Sequence, residues 1–323
     1  MYSDAALLLK VMGWATWNAF HRHFTEQVFY DAADLMAKNG MQAAGYEYIN
    51  VVRYLVDHVA PDSRMFLTYG RAQDAGWWNN TTPAKGQKRT IYRNASGFPS
   101  WDPVKYPRGL PALIDYLHMK GFKYGHYTDA GTGACDHESG MSEGFERQDS
   151  QLFAEWKVDM LKIDSCAVHE TNQTVIARWK QEIIAAGRPM VFSNCHNGCA
   201  NDPFMIHDPN AYGWADWCWN DTNSWRTSRD IEPSWQHVMF NLHTLIGIGE
   251  RGKPGQWNDP DFMELDAMHS INAQRAHFSM WCITSVRLLL DHSIVTRHVC
   301  PSTVSSLLRI LTSLHAVTAS VLF

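Results

Sequence analysis

Two hydrophobic rhythms alternate along the chain. Short runs rich in β-branched and aromatic residues recur between longer stretches whose apolar positions fall every three to four residues, as a parallel α/β architecture requires. Tyr46–Val52 (YEYINVV), Phe122–Thr128 (FKYGHYT), Asp159–Asp164 (DMLKID) and Pro189–Ser193 (PMVFS) predict buried strands. A first strand near Val11–Trp17 and weaker ones at Gly213–Trp217, Gln256–Asp259 and Leu288–Leu290 bring the count to eight. Helices are predicted over Thr25–Lys38, Leu110–Lys120, Ser142–Trp156, Thr171–Ala186, Ser234–Gly247, Asn272–Ser285 and Thr303–His315. Phe145, Leu152, Phe153 and Trp156 share one helical face, the stripe needed for packing on a sheet. Eight β/α units favour a closed (β/α)8 TIM barrel over a doubly wound sheet, and a chain of 323 residues suits a barrel of about 250.

The pattern breaks over residues 53–108, where Gly76-Trp77-Trp78-Asn79-Asn80 and several prolines occur without a sustained period. A loop of that length is usually functional or disordered. It would leave the C-terminal end of strand two, on the catalytic face of a barrel. The organisation read from the chain is one catalytic barrel over residues 11–315 carrying this insertion, with residues 316–323 as a tail.

Composition narrows the function classes. The net charge of −5 argues against a nucleic-acid partner, which would need a clustered basic surface. There is no uncharged apolar run of 18 residues, so no membrane span is expected. The 14 Trp, 12 Tyr and 14 Phe suit a site that stacks sugar faces. The seven cysteines form no Cys-x-x-Cys and the 16 histidines no His-Glu-x-x-His, so neither a metal nor another cofactor is expected. Gly247-Ile-Gly249-Glu-Arg-Gly252 follows a predicted helix and runs into Lys253-Pro254-Gly255, which removes the context of a phosphate-binding loop. Glycosylation acceptor patterns at Asn79, Asn80, Asn94, Asn172 and Asn220, taken with the cysteines, point to a secreted or a lysosome- or vacuole-like location. The first ten residues nevertheless hold too short an apolar stretch for a secretory signal. A homo-oligomer stays open.

The candidate chemistry lies in aspartates at predicted strand ends: Asp129, Asp164, Asp230, Asp259 and Asp261, accompanied by Lys162 and Arg226. Any one of them could simply cap the next helix. In a barrel, however, such groups converge on one mouth. Two carboxylates there can cleave a glycosidic bond, one attacking or activating water and the other protonating the leaving oxygen.

At this point the residues resemble a known family. MGWATWNAF (Met12–Phe20), AGYEYINV (Ala44–Val51), LIDYLHMKGFKYGHYTDAGTGAC (Leu113–Cys135), FAEWKVDMLKIDSC (Phe153–Cys166), NSWRTSRDI (Asn223–Ile231) and WNDPDFMEL (Trp257–Leu265) look like the successive blocks of glycoside hydrolase family 27, the α-galactosidases (melibiases) and α-N-acetylgalactosaminidases. The resemblance implies a TIM barrel, a retaining mechanism and terminal α-galactosyl substrates, with a carbohydrate as the partner. By motif it implies Asp164 as nucleophile and Asp230 as general acid/base. It places Trp17, Tyr127, Lys162, Arg226 and Asp261 around the sugar, and Cys135 and Cys166 in a disulfide beside the site. Lys162 and Arg226 would favour an ionised Asp164, because a nearby cation lowers a carboxyl pKa.

The chain also departs from that pattern. Val52 and Arg53 stand where the family has two adjacent Asp, and Ser193-Asn194-Cys195-His196 stands where typical α-galactosidases carry an acidic residue. The family's C-terminal antiparallel β domain is apparently missing. Related substrates therefore stay in view, namely α-N-acetylgalactosaminides, β-L-arabinopyranosides or α-glucans, as does an inactive relative that only binds sugar. Cys195, Cys199 and Cys218 allow three pairings among themselves.

Overall fold

The computed structural model describes residues 11–16, 20, 24–51, 76–79, 90–134, 140–195, 217–265, 268–284 and 288–290. The elements run β1 (Met12–Ala15), α1 (Glu26–Lys38), β2 (Tyr48–Asn50), α2 (Leu110–Met119), β3 (Lys123–Asp129), α3 (Glu146–Glu155), β4 (Met160–Asp164), α4 (Asn172–Ala185), β5 (Val191–Asn194), α5 (Trp217–Asp221), β6 (Ser224–Arg226), α6 (Trp235–His243), β7 (Trp257–Asp259), α7 (Ile271–Ile283) and β8 (Leu288–Leu290). All eight strands are parallel, in the order β7-β6-β5-β4-β3-β2-β1-β8. At the remaining edge, Met263 just beyond β7 pairs in parallel with Leu290 and donates its N–H to the Leu289 carbonyl at 3.0 Å. The fold is the (β/α)8 barrel expected from the pattern, with each helix returning the chain to the start of the next strand.

Local chemistry sets the helix starts. Thr171, Ser234 and Ser270 each accept a backbone N–H three residues on through the side-chain oxygen, from Thr174, His237 and Ala273 respectively. The core is continuous from Val11 and Trp14 through Ile49, Leu113, Tyr124, Leu161, Ile176 and Phe192 to Trp281 and Leu289.

Three sequence expectations need correction. The sixth strand is Ser224–Arg226; of the expected Gly213–Trp217, residues 213–216 lie outside the described residues, and Trp217 opens a helical turn, Trp217–Asp221, that packs Cys218 and Trp219 against Trp225. A short aromatic run satisfies a strand or one helical turn equally, and burial decided between them. Helix α3 begins at Glu146, because Gly144 takes φ +80° and the Ser142 hydroxyl is hydrogen-bonded to Thr128 at 2.7 Å. Helix α6 stops at His243, short of Gly247 at φ +80°. The expected helix over Thr303–His315 and the tail at 316–323 lie outside the described residues.

The described parts of the insertion form an apron of bridges on the barrel, in place of a regular helix or strand. Trp78 pairs with Trp101 and Arg93 with Pro99, and Asp102 N–H donates to the Trp77 carbonyl at 2.8 Å. Arg93 fastens this apron to α3. It meets both oxygens of Asp149 at 2.6 and 2.8 Å, donates to the carbonyls of Gly97 and Met141, and lies 4.2 Å above the Phe145 ring. Burial raises the Asp149 carboxyl and Arg93 opposes that rise. Removing one partner of such a pair strands a buried charge, so Arg93→Ala is expected to cost about 3–5 kcal/mol in urea unfolding. A loss below about 1 kcal/mol would show that the apron is not anchored there.

Candidate active site

The register brings the candidate residues to one end of the sheet. Tyr127 pairs with Lys162 and Lys162 with Ser193, while Asp129 pairs with Asp164 and Arg226 with Asp259. These positions cluster at the C-terminal ends of β3, β4, β6 and β7, the face on which barrel enzymes place their chemistry. All are buried except Asp230, whose side chain is 37% exposed.

The five strand-end aspartates divide by what they hold. Asp129 braces the two loops beside the site, accepting the N–H of Gly131 at 2.9 Å and of Cys166 at 3.3 Å. Gly131 must be glycine, since a Cβ there would lie 1.8 Å from the Cys166 carbonyl oxygen. Asp259 accepts the Asp261 N–H at 3.1 Å, inside the tight Asp259-Pro260-Asp261 turn. Asp261 sits at φ +80°, a conformation costly for a residue with a side chain. Four contacts hold it there: Arg226 at 2.5 Å, the Ile231 N–H at 2.8 Å, the Trp281 indole on its carbonyl at 2.9 Å, and the neighbouring Pro260 carbonyl fixed by Asn241 at 3.0 Å. Asp129 and Asp259 thus hold backbone N–H groups, and Asp261 holds Arg226.

Asp164 closes β4 and is 2% exposed, and the Tyr127 hydroxyl donates to its Oδ2 at 3.0 Å. Arg226 grips Asp230 through both terminal nitrogens at 2.8 and 2.9 Å, and its Nη1 lies 3.5 Å from the Cys195 sulfur. Burial works against the charge of Arg226, but the carboxylates of Asp261, Asp230 and Asp259 outweigh it and hold the guanidinium cationic. Burial likewise opposes the Lys162 ammonium, yet the carboxylates of Asp164 and Asp261 oppose that and its pKa is raised. The Lys162 ammonium also lies 5.3 Å from the Phe262 ring centre. Burial pushes the Cys195 thiol up to about 12, so it stands as a neutral free thiol near neutral pH. Cys195 stands just beyond β5, the strand between those that carry Lys162 and Arg226.

The structure therefore gathers Tyr127, Lys162, Asp164, Arg226, Asp230 and Asp261. Trp17, Cys135, Val52, Arg53 and His196 lie outside the described residues. Among the described residues no group of three or more metal-ligating side chains occurs, and no helix is long and apolar enough to cross a membrane. Residue-by-residue reading assigned no role to Trp77 and Trp78, which meet Tyr127 from behind. Their only signal was a Gly-Trp-Trp in a segment without periodicity.

The chain is similar to known proteins in sequence and in fold. The melibiase family model described as alpha galactosidase A matches residues 87–312. An alpha-galactosidase A of Cellvibrio japonicus is 32% identical over 295 residues, 88% of this chain and 61% of that protein. An alpha-galactosidase of Cyamopsis tetragonoloba is 32% identical over 286 residues, 86% of this chain and 57% of that protein. The crystal structure of alpha-galactosidase I from Mortierella vinacea superposes with a TM-score of 0.75 at 22% identity, covering 96% of this chain and 72% of that one, a likeness of fold. The chain thus spans about three fifths of the length of these two curated relatives. On the family match and the identity carried over most of its length, the chain belongs to the alpha-galactosidase A (melibiase) family.

Proposed function

We propose that this chain is the catalytic barrel of a retaining glycoside hydrolase that releases terminal α-linked galactose by double displacement. The observation that carries the reading is a pair of carboxylates at the strand ends, buried Asp164 held by the Tyr127 hydroxyl and half-exposed Asp230 held by Arg226, whose other carboxylate partner is Asp261. Asp164 is oriented by Tyr127 to attack the anomeric carbon. Asp230, nearer solvent, gives a proton to the leaving oxygen and then takes one from the water that releases the sugar. Lys162 and Arg226 supply fixed positive charge for sugar hydroxyls and for the developing negative charge. The resemblance gives Trp17 the role of an apolar wall, and Asp261 keeps Arg226 in place while its spare lone pairs accept from a hydroxyl. The resemblance in the sequence blocks further supports a Cys135–Cys166 disulfide beside the site. A secreted or vacuole-like location with glycans on the five acceptor asparagines fits the same reading.

A panel of aryl glycosides tests the proposal. Aryl α-galactoside is expected to turn over at least about tenfold faster by kcat/KM than the α-N-acetylgalactosaminide, β-L-arabinopyranoside or α-glucoside, a margin of about 1.4 kcal/mol. The reverse ranking would transfer the mechanism to another sugar. Galactose binding without turnover of any member would mark a binding protein.

A further inference from the structure

The insertion's Trp77-Trp78 pair meets the catalytic strand from behind, and neither residue is needed for the chemistry just described. The Trp77 indole N–H donates to the Tyr127 carbonyl at 2.7 Å, which fixes the backbone of β3 at that residue. Trp78 is fully buried, and its ring lies nearly parallel to that of Tyr127, at 26° with centres 6.4 Å apart. Gly76 allows the close approach of Trp78. Its φ is +67°, and a Cβ there would come within 2.8 Å of the Trp78 ring. The Lys105 ammonium holds the Gly76 carbonyl at 3.1 Å, and the Trp78–Trp101 bridge pins the next step of the chain. Tyr127 can turn about its side-chain torsions, so its backbone and its ring must both be held if the hydroxyl is to stay 3.0 Å from Asp164.

We propose that Trp78 is a positioning residue for the Asp164 carboxylate, acting through the ring of Tyr127. This rests on the glycosidase reading for its kinetic consequence and on geometry alone for its structural one. The insertion is then part of the catalytic apparatus and more than a surface decoration. Trp78 touches no substrate in this account.

A double-mutant cycle separates positioning from general packing. Tyr127→Phe removes a hydrogen bond to a charged group, so kcat on an aryl α-galactoside is expected to fall roughly 10- to 100-fold. Trp78→Leu is expected to lower kcat about tenfold with KM changed by less than about twofold, since the misplaced group orients the nucleophile and does not bind sugar. Trp78→Phe, which keeps a flat ring, should recover most of that loss. In the Tyr127→Phe background Trp78→Leu should cost no more than about twofold further, because the hydroxyl it positions is gone. Independent, multiplying losses would overturn the proposal.

A crystal structure of Trp78→Leu, or of Trp78→Phe should the first fail to fold, gives a readout that needs no activity. Displacement of the Tyr127 hydroxyl from Asp164, smaller in the Phe variant, supports the proposal. An unchanged contact at 3.0 Å overturns it. Wild-type protein that hydrolyses no glycoside would contradict the proposed function alone, and the crystal structures would still decide the role of Trp78.

Discussion

Asp164→Asn should hydrolyse an aryl α-galactoside at least about 10^4-fold more slowly than the wild type while folding normally. The two side chains are nearly the same size, and the amide oxygen can still accept from the Tyr127 hydroxyl that now meets Asp164 at 3.0 Å. What disappears is nucleophilicity, since a carboxamide does not displace a sugar's leaving group. The site around it keeps Lys162, Arg226 and Tyr127, so galactose binding should survive within about threefold if these groups account for recognition. Steady-state kinetics with circular dichroism as a folding control checks both statements. A variant retaining more than about a tenth of wild-type kcat would transfer the nucleophile's role to another carboxylate.

The second large effect is expected at Asp230. General acid–base catalysis contributes typically about 10²–10⁴-fold, and Asp230→Ala should lose an amount in that range on an unactivated galactoside. An aryl substrate whose phenolate leaves readily needs little protonation, so its first step should be spared and release of the bound sugar should become limiting. A small nucleophile such as azide needs no general base and fits the space left by the carboxylate, so it should restore turnover with galactosyl azide as product. Arg226 gives both terminal nitrogens to Asp230 and would keep its pair with Asp261 and its contact with the Cys195 sulfur in this variant. Equal losses on activated and unactivated substrates, with no azide effect, would argue that Asp230 only holds Arg226.

The barrel was readable because its signal is periodic and repeated. A buried parallel strand such as Leu288–Leu290 is apolar throughout, and an amphipathic helix such as Glu26–Lys38 turns one stripe inward, so each unit reports itself. The sixth strand was misplaced because Ser224–Arg226 is three residues long and follows an aromatic run that folds as a helical turn. Single carboxylates were readable as candidates through their place at strand ends. What each one holds was not: backbone N–H groups reach Asp129 and Asp259, and those groups come from loops without periodicity. The link from Trp78 through Tyr127 to Asp164 was invisible for the same reason. It joins residues 49 apart from Trp78 to Tyr127 and 37 apart from Tyr127 to Asp164 through a segment whose sequence shows only turns and aromatics.

The account's central claim is that Asp164 forms a covalent bond to the sugar. A fluorinated galactosyl substrate with a good leaving group forms such an intermediate faster than it is hydrolysed, because the electron-withdrawing fluorine destabilises both oxocarbenium-like transition states while the leaving group restores the first step. Mass spectrometry of the protein after brief exposure is predicted to show a gain of one fluorosugar, and of its peptides to place that gain on the segment ending Lys162-Ile163-Asp164, specifically on Asp164. A label on Asp230 or Asp261, or turnover of the true substrate to product of inverted configuration with no labelled protein, would contradict it.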